Sequence, residues 1–414
     1  MEKSLIDEAK RCAQCKKPRC SKGCPVNTQI KEMINMFLEN QILPAGEMLF
    51  RNNPLSLICS LVCPHEKQCE GACIMGIKGQ PINISRIEHY ISDFYINLMK
   101  PEYQKVPGKK VAIIGSGPAG ITIAIILASR GYDITIFEAH DKIGGVLMYG
   151  IPEFRLPKSV LAKLKVKIRE MGIKIRPNTM IGPVLTIDDL FRDGYKAVFI
   201  GTGVWKPKSL GIKGESLGHV HYAIDYLKNP EVYSLGEKLC IIGCGNVAID
   251  AARTAIRSGV RQVTILYRGD EQSITAQKTE VEMALIDGVK FELNKAPVEI
   301  TDDGVLYLNT VAQEDDSGNK IFVSVTDTAQ LFCADSVIIS ISQGPRDFIV
   351  STTKGIEIGS QGLVNTDSNG KTTRAGIFAS GDVVTGAKTV VEAVNVSKRV
   401  ADAIDEYVLG SMKS

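Results

Sequence analysis

Two runs of apolar residues along the chain end in glycine-rich turns. The first run, 111–114, leads into Gly115, and the second, 239–242, leads into Gly243. Short continuous apolar runs of this kind predict parallel strands that are covered on both faces. Each run is followed by the pattern of a helix, so the sequence predicts two copies of a strand–turn–helix unit.

The rest of the hydrophobic pattern predicts more helices and strands around these units. Helices are predicted over 84–98, 158–171 and 390–407, and strands at 173–175, 197–200, 291–293, 306–309, 337–341 and 377–379. Strands that alternate with helices indicate the α/β class. We therefore expect two Rossmann-like dinucleotide-binding domains of the three-layer ββα type, preceded by a mainly α-helical domain.

Composition excludes several classes of protein. The chain has 414 residues, of which 44% are hydrophobic and 23% are charged, values that are ordinary for a globular protein. A formal net charge of +3 is too small to indicate a nucleic acid or a membrane surface as partner. No apolar run reaches the roughly 18 residues of a membrane span, and the charged N-terminus resembles no secretory signal. We expect a cytoplasmic protein.

The first glycine turn has the features of a dinucleotide-binding loop. It consists of Gly115, Ser116, Gly117, Pro118, Ala119 and Gly120. In such loops one glycine makes the tight turn, one lets the backbone approach a pyrophosphate, and the last allows close helix packing. Glu138 ends the next predicted strand, near the usual spacing for an acid that binds a ribose hydroxyl. The sequence therefore predicts a dinucleotide site.

The second glycine turn predicts another dinucleotide site. It consists of Gly243, Cys244, Gly245, Asn246, Val247 and Ala248. Arg268 follows the next predicted strand, where an arginine can accept the 2′-phosphate of NADP. Asp270 and Glu271 come directly afterwards and would repel that phosphate. The sequence leans towards NADPH and leaves NADH open.

Two dinucleotide loops in one chain indicate FAD at the first and a nicotinamide cofactor at the second. Near the C-terminus, Gly381 and Asp382 fit this interpretation, because an aspartate there can bind the ribityl chain of FAD. A helix that begins near Thr389 and Val390 can direct its N-terminus at the flavin. The predicted domains are 1–105 for a helical cysteine-rich domain, 106–232 and 346–414 for FAD, and 233–345 for NAD(P)H.

Cysteines crowd the N-terminal region, where eight of the eleven lie: Cys12, Cys15, Cys20, Cys24, Cys59, Cys63, Cys69 and Cys73. Disulfides are disfavoured in a reducing compartment, and structural zinc favours paired Cys-x-x-Cys units, of which this region has only one. Spacings of two to four residues and Cys-Pro pairs resemble ferredoxin-type ligands. We predict two 4Fe–4S clusters, with zinc and disulfides as alternatives. Cys59 is interpreted as a buried apolar residue, and its alternative role is the last ligand of one cluster.

Together these motifs resemble the small (beta) subunit family of bacterial glutamate synthase. This family also includes the NAD-accepting subunit of bacterial dihydropyrimidine dehydrogenase and the large subunit of ferredoxin:NADP transhydrogenases. The resemblance covers nearly the whole chain. It is carried by the segments 11–25, 62–73, 144–145, 149–157, 201–203 and 381–384.

The resemblance implies a ligand set for each cluster. One cluster would be held by Cys12, Cys15, Cys20 and Cys73, and the other by Cys24, Cys63, Cys69 and an oxygen of Glu88. Gly145 and Arg155 would lie at the flavin. The family usually has a basic residue after Arg268, whereas this chain has Gly269, which again leaves NADH open.

The resemblance also implies an electron-input subunit. Electrons from NADPH or NADH would pass through FAD and the clusters to a catalytic flavoprotein subunit in a hetero-oligomer. That partner would be the glutamate synthase large subunit or, alternatively, a pyrimidine-reducing subunit of dihydropyrimidine dehydrogenase. A hypothesis of another class is a zinc-stabilised regulatory flavoprotein without an electron relay. Hydride transfer needs positioning more than acid–base groups, so we predict no catalytic side chain.

Overall fold

A computed structural model describes residues 2–101 and 103–413 of the protein. Contacts divide the chain into two compact units, the first within 1–148, 153–204 and 344–414, and the second within 149–152 and 205–343. None of the helices in the described ranges is both long and apolar enough to cross a membrane.

The helices and strands follow one another along the whole chain. The helices are α1 (Glu2–Lys10), α2 (Arg19–Gly23), α3 (Ile30–Leu38), α4 (Ile42–Asn52), α5 (Ser56–Val62), α6 (Ile84–Leu98), α7 (Pro118–Ser129), α8 (Val146–Tyr149), α9 (Lys158–Glu170), α10 (Ile187–Arg192), α11 (Ala223–Lys228), α12 (Asn246–Arg257), α13 (Lys278–Ile286), α14 (Phe348–Thr352), α15 (Asp382–Thr385) and α16 (Val390–Lys413). The strands are β1 (Lys110–Ile114), β2 (Asp133–Phe137), β3 (Lys174–Arg176), β4 (Ala197–Ile200), β5 (Lys206–Pro207), β6 (Val220–Tyr222), β7 (Lys238–Ile242), β8 (Gln262–Leu266), β9 (Lys290–Glu292), β10 (Lys295–Thr301), β11 (Gly304–Glu314), β12 (Lys320–Ser324), β13 (Gln330–Cys333), β14 (Ser336–Ile339), β15 (Gln343–Gly344) and β16 (Ile377–Ala379).

The N-terminal part of the first unit is helical, as the sequence predicts. Helix α6 packs against α4 and α5, and its apolar face, with Ile87 and Ile91 fully buried, forms the centre of a small core. Several of the N-terminal cysteines pack against this core from the loops between the helices. The fold therefore holds these loops in place through a helical scaffold.

A parallel sheet forms the rest of the first unit. Its strand order is β16–β4–β1–β2–β3, and β1 lies at its centre with Val111, Ala112 and Ile113 fully buried. Helix α7 is buried along almost its whole length and packs against α16. Because both faces of β1 are covered, its sequence is a continuous apolar run.

The second unit has the layers expected of the ββα type. A parallel sheet in the order β6–β14–β7–β8–β9 carries helices α12 and α13, and a second, antiparallel sheet contains β10, β11, β12 and β13. Residues 205–232, which the sequence analysis assigns to the FAD domain, lie in this unit. The reason is that β6 pairs with β14 and α11 packs on α12.

Candidate cofactor sites

The first glycine loop forms a tight connection between β1 and α7. Gly115 has φ of +95°, and a Cβ there would lie 2.5 Å from the carbonyl oxygen of Gly201, so only glycine fits. Gly117 has an extended backbone and caps α7, which begins at Pro118. Proline is favourable there because the first amide of a helix has no partner within it. The N-terminus of α7 therefore has backbone amides of the kind that bind a pyrophosphate.

Three further elements predicted for the flavin meet this loop. The backbone of Gly145 lies against Gly117, and Gly381 lies against Ala119. Glu138 directly follows β2 and accepts hydrogen bonds from the backbone N–H and the hydroxyl of Ser116. The fold thus brings together residues that are far apart in sequence and that the sequence analysis assigned to one dinucleotide.

The carboxylate of Glu138 is buried and fixed at both oxygens. Oε2 accepts the N–H of Ser116 at 3.0 Å, and Oε1 accepts the N–H of His140 at 2.9 Å. Burial alone would raise the pKa of Glu138, but the hydrogen bonds from His140 and Ser116 outweigh it and lower the pKa. Glu138 is therefore an ionised acceptor at the edge of the glycine loop.

The C-terminal segment provides the start of a long helix. Asp382 Oδ1 accepts the backbone N–H of Lys388 at 3.1 Å, and burial raises the pKa of Asp382 to about 6. Thr389 and Glu392 form a reciprocal cap in which each accepts the other's backbone N–H. Helix α16 then begins at Val390, and the N–H groups that precede the capped N–H of Glu392 are the ones that could bind a ligand.

Arg155 has a separate place in the first unit. It is half-buried in the turn that joins α8 to α9. In the same turn the Glu153 carboxylate accepts the backbone N–H of Lys158 at 3.1 Å. The role of Arg155 at the flavin remains a prediction from the family resemblance.

The second glycine loop repeats the first in the second unit. Gly243 has φ of +118°, and a side chain there would collide with the carbonyl oxygen of Ser340. Gly245 caps α12, which begins at Asn246. The Asn246 side-chain oxygen accepts the backbone N–H of Gln277 at 2.9 Å, which ties the loop to the segment before α13. The loop has the geometry of a dinucleotide site.

The region after β8 changes the electrostatic argument about NADPH. Arg268 is exposed, and a side chain on Gly269 would collide with Ser273. Asp270 Oδ2 lies 2.5 Å from the Nζ of Lys320, and this bond, with those from Ser273, lowers the pKa of Asp270. The acid that the sequence places against a 2′-phosphate is thus already paired with a cation.

Four cysteines lie close together where α1, α2 and the segment before residue 74 meet. They are Cys12, Cys15, Cys20 and Cys73. Burial raises the pKa of Cys12, and the neighbouring sulfurs of Cys15 and Cys73 raise it further. The pKa of Cys20 is raised in the same way, by burial and then by Cys73 and Cys12. These thiols need a cationic group to be held together as thiolates.

A second group contains Cys24, Cys63, Cys69 and Glu88. Burial and the nearby Glu88 carboxylate both raise the pKa of Cys69. Burial raises the pKa of Glu88 itself to about 8, and none of the hydrogen bonds found among the described residues reaches its carboxylate. A buried carboxyl without a hydrogen-bond partner beside three cysteines fits an oxygen ligand of a metal centre.

Cys59 also reaches the second group. It is buried in α5, as the sequence analysis interprets it, and its thiol lies near enough to Cys63 to raise the pKa of the Cys63 thiol. No three His, Cys, Asp or Glu side chains within 2–101 and 103–413 lie close enough to hold one metal ion. In a 4Fe–4S cluster each protein ligand can bind a different iron, so such ligands need not converge on one point.

The two cysteine groups differ in exposure. All four members of the first group are partly exposed, whereas the second group has two partly exposed members, Cys24 and Cys63, and two buried ones, Cys69 and Glu88. Exposed basic residues lie beside the first group in sequence: Lys16, Lys17, Arg19 and Lys22. The first group therefore lies nearer to solvent and to a positively charged surface, here called the basic rim.

Sequence reasoning missed several residues that contact the predicted ones. Ser116 and His140 fix Glu138, and Lys320 pairs with Asp270. Ser116 was within a recognised motif, but its role towards Glu138 depends on the pairing of β1 with β2. Lys320 lies 50 positions from its partner in an exposed strand, so no spacing rule could identify it.

Two family models match successive parts of the chain. The family model "Pyridine nucleotide-disulphide oxidoreductase" matches residues 109–397, and "Dihydropyrimidine dehydrogenase domain II, 4Fe-4S cluster" matches residues 1–99. The glutamate synthase (NADPH) small chain of Halomonas elongata is 34% identical, over 97% of this chain and 90% of that protein.

Two further matches cover a subunit of a different enzyme and a solved structure. The NAD-dependent dihydropyrimidine dehydrogenase subunit PreT of Salmonella typhimurium is 34% identical, over 97% of this chain and 94% of that protein. The structure of Mycobacterium tuberculosis FprA in complex with NADPH has a TM-score of 0.62 at 17% identity. That match covers 74% of this chain and 85% of FprA, and it indicates the fold alone.

Proposed function

The chain belongs to the pyridine nucleotide-disulphide oxidoreductase family, in the group of glutamate synthase small chains, and we propose that it supplies electrons to a catalytic flavoprotein partner. Enzymes of this group are oxidoreductases that use FAD, a nicotinamide cofactor and 4Fe–4S clusters. FAD, when bound, allows exchange between a two-electron hydride donor and one-electron carriers. The chain's own residues bind and orient these groups.

One observation carries the proposal. The two ligand groups and the first glycine loop belong to the same compact unit, so the flavin site and the cluster sites share one scaffold. Helices α6 and α9 join the two parts, with Lys163 donating to Asp93 at 2.5 Å and Lys167 donating to the carbonyl oxygen of Met99 at 3.0 Å. Such a scaffold suits the transfer of electrons between fixed positions.

We assign roles to the predicted residues as follows. The FAD pyrophosphate would be held by Gly115, Gly117 and the start of α7. Glu138 would accept hydrogen bonds from the ribose hydroxyls. Asp382 and the first turn of α16 would face the flavin part, and the Gly243–Ala248 loop with Arg268 would hold the nicotinamide cofactor. The domain assignments 1–105, 106–232 with 346–414, and 233–345 stay proposals about which cofactor each segment binds.

We place the contact with the partner at the basic rim. The first cysteine group is the more exposed one, and electrons leave most readily where a cluster lies near the surface. Four exposed cations there would attract an acidic surface and speed its association. We propose a glutamate synthase large subunit as the partner. Gly269, which takes the place of a second basic residue beside Arg268, favours a pyrimidine-reducing subunit as the second candidate.

Affinity capture of the full chain at native expression level tests this proposal. We expect recovery of either a glutamine-amidotransferase flavoprotein or a pyrimidine-reducing flavoprotein, and loss of that partner when Lys16, Lys17, Arg19 and Lys22 are all changed to glutamate. A matched control reverses exposed basic residues of the second unit, Lys290 and Arg261. Recovery of neither flavoprotein, with cofactors intact, would contradict the proposal.

A further inference from the structure

A chain of hydrogen bonds joins the C-terminal helix to the second cysteine group. Lys398 on α16 donates from Nζ to Asn52 Oδ1 at 2.7 Å. Asn52, the last residue of α4, donates from Nδ2 to Thr28 Oγ1 at 3.4 Å and to the Val26 carbonyl oxygen at 3.1 Å. Thr28 Oγ1 lies 3.3 Å from Cys24 Sγ. Thr28 is buried, with only 3% of its surface exposed.

All of these hydrogen bonds point the same way when Cys24 is a metal ligand. In this structure the Cys24 thiol donates to Thr28. A ligating cysteine is a thiolate, which can only accept, so the Thr28 hydroxyl must then donate to the sulfur. Thr28 Oγ1 continues to accept from Asn52, and Asn52 continues to accept from the Lys398 ammonium. Every donor then points towards the sulfur, and successive hydrogen bonds in such a series polarise and strengthen one another.

We propose that Lys398, acting through Asn52 and Thr28, is a positioning residue that raises the reduction potential of the cluster held by Cys24. The inference rests on the proposed function, because it requires a cluster at the second cysteine group. Reduction adds one electron, and hence one negative charge, to that cluster. A nearby cation and hydrogen bonds to a ligand sulfur stabilise the more negative form.

The surroundings of Lys398 strengthen its field. Burial lowers the pKa of the half-buried Lys398, while Cys24 and Asp402 act in the opposite direction. Asp402 Oδ1 lies 2.5 Å from an Arg130 nitrogen, so part of its charge is already balanced. Charges that are partly withdrawn from water are screened less than surface charges. The ammonium therefore acts on the cysteine group more strongly than an exposed lysine would.

The position of Lys398 along α16 indicates what a raised reduction potential would do. The helix begins at Val390, where we place the flavin, and the eight residues from there to Lys398 span about 12 Å. One helix thus begins at the proposed flavin site and reaches the second cysteine group through Asn52 and Thr28. A raised potential at this group favours it as the first acceptor of an electron that leaves the flavin.

Redox titration of the whole protein, followed by EPR for the clusters and by absorbance for the flavin, tests the inference. We expect Lys398→Gln to disfavour reduction of one cluster about tenfold, which is about 59 mV for one electron. The other cluster and the flavin should change less than threefold. Lys398→Arg, which keeps the charge, should stay within threefold of the wild type. Arg399→Gln, which removes an exposed charge one residue further along α16, is the matched control.

Thr28→Val and Thr28→Ser provide an independent pair of variants. Valine keeps the shape and removes the hydroxyl, so Thr28→Val should shift the reduction potential of the same cluster in the same direction. Thr28→Ser keeps the hydroxyl and should leave that potential close to the wild-type value. Two cluster signals in the wild type that Lys398→Gln and Thr28→Val leave unmoved would overturn this inference alone. A shift of equal size in Arg399→Gln would do the same. A wild type without iron–sulfur signals would contradict the proposed function as well.

Discussion

The backbone N–H of Ser116 donates to Glu138 Oε2 at 3.0 Å, which fastens the glycine loop after β1 to the acid after β2. The two residues come from neighbouring parallel strands whose registers align Ile114 with Phe137. The acid that the sequence analysis assigned to a ribose therefore also holds the loop that would carry the pyrophosphate. The shape of the loop and the proposed recognition of a ribose would then depend on the same carboxylate.

Replacing this carboxylate should weaken FAD binding. Glu138→Gln keeps the size of the side chain but cannot accept from Ser116 and His140 with the same strength. Hydrogen bonds to a charged group contribute about 1.5–3 kcal/mol, so we expect at least a tenfold rise in the dissociation constant for FAD. Equilibrium titration of the flavin-free protein measures it. Unchanged affinity would contradict the role of Glu138.

A methyl group at the first glycine should abolish flavin binding. Gly115→Ala combines a positive φ with a collision against the carbonyl oxygen of Gly201. The matched control is Gly194→Ala, since Gly194 has φ of +88° and open space around it. We expect the control to lose only about 1 kcal/mol of stability and to keep its bound flavin. Equal loss of flavin in both variants would show that the close approach of position 115 to Gly201 does not decide flavin binding.

Changes to Arg268 and Lys320 should weaken the binding of NADPH more than that of NADH. Arg268→Glu removes the cation that would face a 2′-phosphate, and Lys320→Met releases the paired carboxylate of Asp270. Stopped-flow reduction of the flavin should show the KM for NADPH raised at least tenfold by the first change and severalfold by the second. The KM for NADH should move less than threefold. Equal effects on both cofactors would refute the phosphate role.

Acid pH should reveal the burial of Asp382. Its pKa rises from 3.8 in the unfolded chain to about 6 in the folded one. Between these values the folded state binds more protons, so this group's contribution to stability falls as pH rises from 4 to 6. Asp382→Asn removes that contribution. The melting temperature of the variant relative to the wild type, both without flavin, should therefore increase over this range and then level off. A difference independent of pH would contradict the assignment.

A single cysteine change should separate the two redox sites. Cys12→Ala should remove one cluster signal from the EPR spectrum while leaving the FAD absorbance and its reduction by NAD(P)H intact. Delivery of electrons to the partner should fail. The control is Cys333→Ala, because Cys333 is exposed and lies in the second unit. Normal partner turnover in Cys12→Ala would show that electrons do not pass through this cluster.

Local backbone requirements made part of the fold predictable. A glycine turn after an apolar run fixes the position of a strand and of the following helix, so β1 and α7 follow directly from residues near Gly115. Helix α6 matches its predicted range because its apolar positions recur with helical spacing. Helix α16 runs to Lys413, beyond the predicted end at 407, and it continues through Gly410.

Other features depend on contacts between distant segments. Strands β12 and β13 are largely exposed, with one half-buried phenylalanine in each, so no clear alternation of apolar and polar residues marks them. The pairing of Asp270 with Lys320 and of Asn52 with Lys398 arises only when separate elements pack together. The grouping of cysteines around Glu88 was implied by a family resemblance, and no spacing rule could have placed that acid.

Anaerobic purification of the full chain, with iron and labile-sulfide analysis and EPR before and after addition of NADPH or NADH, tests the central claim most directly. We expect a brown protein that contains FAD and iron equivalent to two 4Fe–4S clusters, and whose cluster signal appears when the nicotinamide is added. A yellow protein that contains zinc but no iron, and that shows no such signal on reduction, would contradict the account.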